Sequence, residues 1–135
     1  KKDSKNSQEI PVLGEIAAGT PIEAIQNEVS KVNLPNQLSK NGEYFGLKVL
    51  GDSMIEAGIN EGDTVIIKKT STAENGQIVV AVVDQDFATL KRLRHQPNHQ
   101  VALCPANKQH RPQIYDASRV QIQGLFIGLL RICQN

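Results

Sequence analysis

The chain has 135 residues, 39% of them hydrophobic, and a formal net charge of +1, which suits one ordinary domain with a packed core. A charge so near zero excludes DNA binding by electrostatics alone, and 4% aromatic residues with no tryptophan exclude an exposed base-stacking platform. Mean hydropathy is −0.32 and no apolar run nears the roughly 20 residues that span a bilayer, so a cytoplasmic protein without membrane contact is expected.

Residues 1–9 carry five charges and almost nothing apolar, the composition of a flexible linker. They are expected to be the tail of a hinge from a preceding domain, with residues 10–135 forming the folded unit. Residues 10–16 predict a first strand, with Pro11 near its start, where a missing N–H matters least. Ala17, Ala18 and Gly19, followed by Thr20 and Pro21, read as a loop. Residues 22–42 give a weak signal: 22–25 is short, 29–34 is strand-compatible and 35–42 is rich in turn formers.

From Tyr44 the pattern clears. Residues 44–50 predict a strand running into Gly51-Asp52-Ser53, residues 54–57 allow a short helical turn before Gly58, and Glu61-Gly62-Asp63 marks a turn. Strands follow at 64–68, at 77–83 and at 87–94, the last two forming a hairpin across Asp84-Gln85-Asp86. Residues 95–100 read as a polar loop, and strands at 101–103, 113–115 and 120–132 complete the chain. Short strands separated by turns, with little helical periodicity, predict a mostly β fold.

Few residues carry candidate chemistry. His95 and His99 have helical metal-pair spacing, but Pro97 between them argues against a helix, so no metal site is expected. Cys104 and Cys133 form no Cys-x-x-Cys pair; reduced thiols are the expectation, with a disulfide the alternative. Gly51-Asp52-Ser53-Met54-Ile55 begins like a nucleophile elbow yet lacks the second glycine, and no histidine has the context of a triad. Asp52-Ser53 is followed by methionine rather than glycine, against an aspartic protease, and no Gly-rich phosphate loop is present.

A serine with a lysine remains. Ser53 lies where a strand turns sharply beside Gly51, a geometry that exposes Oγ and aims backbone N–H groups, here those of Asp52 and Ser53, at one point. Strand alternation puts Phe87, Thr89, Lys91 and Leu93 on one face and Ala88, Leu90, Arg92 and Arg94 on the other. Lys91 therefore shares a partly apolar face, and burial there would lower its pKa toward that of a usable base. Judged alone, Ser53 reads as an ordinary β-turn serine and Lys91 as a solvated strand lysine.

In combination the segments resemble one family. Ile16-Ala17-Ala18-Gly19-Thr20-Pro21, Gly51-Asp52-Ser53-Met54 and Thr89-Leu90-Lys91-Arg92-Leu93 are similar to the cleavage site, nucleophile motif and lysine strand of self-cleaving LexA-type repressors, which are S24 serine peptidases. Gly62-Asp63, Asn75-Gly76, Pro105-Ala106-Asn107 and Gly124-Leu125-Phe126-Ile127-Gly128 also match in position, so the likeness runs from about Ile10 to Ile132. Residues 18–27 most resemble alphaproteobacterial members.

The resemblance implies a compact, signal-peptidase-like β domain of short, highly bent strands with a mobile cleavage-site loop. It implies Ser53 as nucleophile, Lys91 as general base and acid, the bond between Ala18 and Gly19 as substrate, and no cofactor. It further implies a homodimer formed through the C-terminal region, activation by the RecA filament on single-stranded DNA, and operator contact only through a winged helix-turn-helix preceding Lys1. Alternatives are a UmuD-like self-cleaving subunit of a translesion polymerase, a phage repressor, and, in a different class, a non-catalytic β interaction module.

Overall fold

Valine and isoleucine crowd the middle of the chain, as in Val65-Ile66-Ile67 and Ile78-Val79-Val80, and such β-branched residues favour a pleated, doubly covered surface. The computed structural model describes residues 7–35 and 42–133. Its strands are β1 (Ser7–Ile16), β2 (Thr20–Pro21), β3 (Ser30–Pro35), β4 (Tyr44–Val49), β5 (Thr64–Lys69), β6 (Ile78–Val83), β7 (Phe87–Gln96), β8 (Gln100–Cys104), β9 (Gln113–Asp116) and β10 (Val120–Leu130). The only helical pieces among the described residues are short 3-10 turns at Ile22–Ile25, Ile55–Ala57 and Ala117–Arg119.

One sheet contains all of these strands in the order β3-β1-β4-β5-β10-β6-β7-β8-β9, with β2 added beside β7. Its pairings are antiparallel except β1 with β4. Both faces of the central strands are covered. Val80 and Val82 join Ile16, Leu47, Met54 and Leu90 in one apolar cluster, while Val79, Ala81 and Val83 join Leu93, Val101 and Leu103 in another. Burial on both faces explains why β6 reads as an unbroken apolar run rather than an alternating one.

Several expectations shift. Of the linker expected at 1–9, residues 1–6 lie outside the described residues, and Ser7, Gln8 and Glu9 open β1, paired with Pro35, Leu34 and Asn33. Polar side chains at an edge pairing leave no apolar signal, which is why the strand start was invisible. The turn-rich expectation for 35–42 meets Pro35 as the last residue of β3, and residues 36–41 lie outside the described residues. The polar loop expected at 95–100 is instead a hairpin: His95 pairs with Val101 and Gln96 with Gln100. Asn98 and His99, at φ 62° and 60°, make the left-handed turn that matches strand twist. The hairpin expected between β6 and β7 is present, with Asp84 and Gln85 at φ 56° and 57°.

Three strands are long: β1 and β7 have 10 residues, more than the 10–16 and 87–94 expected, and β10 has 11, within the expected 120–132. Two of them change register along their length. β1 shifts between Val12 and Glu15, and β10 shifts at 122/124 against β6 and at 126/128 against β5; such irregularities bend a strand and raise its twist.

The end of β10 is tied to the region that follows the 3-10 turn at Ile55–Ala57. Arg131 Nε and Nη2 donate to the Asp63 carboxylate at 2.7 and 2.8 Å, and Nη2 also donates to the Gly58 carbonyl at 2.8 Å. Asp63 is only 2% exposed, and the Arg131 guanidinium holds its carboxyl below the usual value of 3.8 against the opposing effect of burial. Because the folded pKa is depressed, this stabilisation is present above about pH 4 and lost as pH falls further. Arg131→Ala should therefore cost about 2–3 kcal/mol at neutral pH by leaving a buried carboxylate half-paired. The loss should shrink in acid, and urea unfolding at the two pH values checks both statements.

Candidate active site

β4 ends at Val49, where its N–H donates to Asp63 O at 2.8 Å, and the chain leaves the sheet through Gly51 at φ 83°. This left-handed residue lets the turn at Asp52, Ser53 and Met54 fold back over the cluster, into which Met54 inserts at 2% exposure. Ser53 is half-buried. Its carbonyl accepts the Ala106 N–H at 2.8 Å, and Glu56 N–H donates to Ala106 O at 2.7 Å. The turn is thus stitched to the loop that follows β8. The N–H groups of Asp52, Ser53 and Met54 are bonded to no other protein group among the described residues; adjacent uncommitted N–H groups are what an oxyanion requires.

Lys91 is 7% exposed on β7. Its pairing partner is Val79, so on its face of the sheet it is flanked by Val79 and Leu93, both buried. Its Nζ donates to Thr89 Oγ1 at 2.6 Å, and no ion pair reaches it among the described residues. Burial alone lowers its pKa from 10.5 to about 8. The alternation expected for this strand holds: Ala88 and Leu90 face the first cluster, and Arg92 turns to donate to Gly76 O at 2.7 Å. The solvated-lysine alternative is therefore excluded. Ser53 and Lys91 are not hydrogen-bonded to each other; the lysine donates to Thr89 instead.

What lies beside Lys91 is set by strand pairing. On one edge of β7, β6 covers residues 87–92. On the other edge, β2 covers Phe87 and Ala88, and β8 begins at Arg92. Residues 89–91 thus have no strand partner on that edge among the described residues. Both borders of this gap lead to the other candidate residues. Beyond the β8 border, Cys104 pairs with Arg92, and two residues later Ala106 bonds Ser53. At the β2 border, Thr20 pairs with Ala88 and Pro21 with Phe87, so the chain enters β2 from the Lys91 side.

Ala18 and Gly19 lie in that entering loop, both exposed. The loop is closed by Ala17 N–H donating to the buried Thr20 Oγ1 at 2.8 Å. It is anchored upstream by Leu50 N–H, which donates to Ile16 O at 2.9 Å. A Cβ on Gly19 would lie 3.5 Å from the Phe87 ring, so this glycine passes close over β7. The loop therefore hangs between the strand leading to Ser53 and the strand bearing Lys91.

Sequence reading missed two contributors. Alternation alone gives Thr89 the lysine's face but no role, although its i, i+2 spacing from Lys91 is a usable signal. Asn107 donates from Nδ2 to Asp52 O at 2.9 Å across 55 residues of chain, a contact with no local signal. The histidines are dispersed: His95 is the penultimate residue of β7, His99 sits in the hairpin turn, and His110 bonds the Asp52 carboxylate at 3.0 Å on the exposed side. Cys104 and Cys133 are free thiols, the first half-buried and the second exposed. No helix among the described residues is long and apolar enough to cross a membrane.

A bent β sheet with these motifs defines a class, and the chain belongs to the Peptidase S24-like family, whose model matches residues 11–127. Within that class the similarity is to LexA repressors, which bears out the resemblance read from the motifs. The LexA repressor of Pelagibacter ubique is 61% identical over 126 residues, covering 93% of this chain and 56% of that protein. That of Granulibacter bethesdensis is 52% identical over 123 residues, covering 91% and 50%, and that of Rhodospirillum rubrum 48% over 122 residues, covering 90% and 48%. The chain thus spans about half the length of the curated relatives it matches.

Proposed function

We propose that this chain is the self-cleaving serine peptidase domain of an SOS-response transcriptional repressor, and that it cuts its own bond between Ala18 and Gly19. The observation that carries this reading is the gap on the β7 edge at residues 89–91, bordered by the strand that follows the bond and by β8, whose following loop is bonded to the Ser53 turn.

Neutral Lys91 removes the proton from Ser53 Oγ as that oxygen attacks the Ala18 carbonyl carbon. The hydrogen bond to Thr89 uses one N–H of the amine and leaves its lone pair for the serine proton. Uncommitted N–H groups of Asp52 and Ser53 stabilise the tetrahedral oxyanion. The ammonium then protonates the departing Gly19 nitrogen as the C–N bond breaks, leaving Ala18 esterified to Ser53, and water hydrolyses the ester. A tethered substrate makes the reaction first-order, and tethering by itself lowers the barrier by several kcal/mol.

By similarity to LexA repressors, the intact protein would be a cytoplasmic homodimer bound to operator DNA through a preceding domain. Cleavage would inactivate it when the RecA filament on single-stranded DNA favours the docked loop. The residues before β1 would then be the tail of the hinge, and those from β1 onward the peptidase domain. The test is incubation at alkaline pH followed by intact-mass measurement. The chain should split between Ala18 and Gly19 at a rate independent of protein concentration, and Ser53→Ala should remain whole while keeping its circular dichroism. A split elsewhere, or cleavage by Ser53→Ala, would refute the assignment.

A further inference from the structure

The peptide linking Asp52 to Ser53 is a rigid plane with the Asp52 carbonyl on one edge and the Ser53 N–H on the other. The carbonyl is held twice, by Ile55 N–H at 3.2 Å and by Asn107 Nδ2 at 2.9 Å. The N–H is bonded to no protein group among the described residues. Asn107 is one of the few buried polar side chains, at 8% exposure. Its orientation is fixed by its partners: Oδ1 accepts Gln109 N–H at 2.9 Å while Nδ2 donates to Asp52 O. Its backbone carbonyl accepts His110 N–H at 3.0 Å, and its neighbour Ala106 is bonded to both Ser53 and Glu56. The amide has little freedom to swing away.

We infer that Asn107 is a positioning residue for self-cleavage, which by gripping the Asp52 carbonyl aims the Ser53 N–H at the oxyanion formed from Ala18. The inference rests on the reading of Ser53 as nucleophile. Two effects follow from the grip. Rotation of the 52–53 peptide would swing the N–H off target, and the bond to the carbonyl opposes that rotation. A hydrogen bond accepted at the carbonyl also polarises the peptide and strengthens its N–H as a donor. The side chain must donate, so a carboxylate cannot replace the amide.

The test measures first-order self-cleavage across a pH series for the native chain, Asn107→Ala and Asn107→Asp, with Ser53→Ala as control and thermal midpoints alongside. Asn107→Asp keeps the shape and the acceptor for Gln109 N–H, so support of the loop survives while donation to Asp52 is lost. Both variants should lose at least about tenfold in the high-pH plateau rate, less than the roughly 10²–10³ typical of deleting a direct oxyanion donor. The pH midpoint should stay at the native value, because Lys91 is untouched. Folded Asn107→Asp cleaving within about twofold of native would overturn the inference. So would a displaced pH midpoint with an undiminished plateau, since the amide would then act on the base. A native chain that does not split between Ala18 and Gly19, or active Ser53→Ala, would overturn the parent reading together with this one.

Discussion

Lys91→Met is expected to abolish self-cleavage and yet leave the domain more stable at neutral pH. Burial brings the amine from 10.5 to about 8, which corresponds to a penalty of about 3 kcal/mol on the charged form. Methionine fills similar volume without that penalty. The Thr89 hydroxyl, 3% exposed, loses its partner, which returns about 1 kcal/mol. The net gain is therefore on the order of 1–2 kcal/mol, against a loss of cleavage of at least about 10³-fold when the proposed general base disappears. Urea unfolding and intact-mass assays check the two halves. A variant that is both inactive and much less stable would mean that Lys91 is structural.

The same shift sets two pH dependences. Below about pH 8 the amine is charged in both folded and unfolded chains and its burial penalty is fully present. Between about 8 and 10.5 the unfolded chain binds the extra proton, so stability contributed by this group rises with pH; above about 10.5 the penalty is gone. On the proposed mechanism, cleavage follows the neutral fraction of the folded amine. From about pH 6 to about pH 9 the rate should climb roughly 10²-fold and then level. A flat profile over that interval would remove Lys91 from the role of base.

Gly124→Ala is expected to cost about 3 kcal/mol or more, roughly 10 °C in Tm. Gly124 lies where β10 passes from β6 to β5, paired with Val80 on one side and Lys69 on the other. A Cβ there would overlap Ile67 Cγ2 and come within 2.9 Å of the Lys68 carbonyl oxygen. The second obstacle is backbone in a central strand, which cannot move aside as a side-chain tip can. Thermal unfolding followed by circular dichroism checks the effect. A loss below about 1 kcal/mol would mean that β5 and β10 separate locally at little cost.

Legibility followed the range of the forces involved. Strands β4 to β6, β8 and β10 were readable because each carries a dense apolar run bounded by turn residues, and β7 because it follows a turn signal as the return arm of a hairpin. β2 was not, since two residues with a proline make a strand only when β7 lies alongside. The first three residues of β1 and the hairpin through His95 and Gln100 were missed for the same reason: their polar side chains carry no periodic signal, and their partners supply the order.

By itself the sequence determined the mostly β class, the family, and the residue types capable of serine–lysine chemistry, because composition, alternation and short motifs are local properties of the chain. Only the tertiary structure decided that Lys91 is buried and loses much of its basicity, that Thr89 holds its amine, and that Asn107 reaches Asp52. It also decided that the loop of Ala18 and Gly19 opens beside a stretch of β7 that, among the described residues, has a strand partner on one edge and none on the other. Desolvation and hydrogen bonding depend on which distant segments exclude water from a group, and that is settled only when the sheet closes around it.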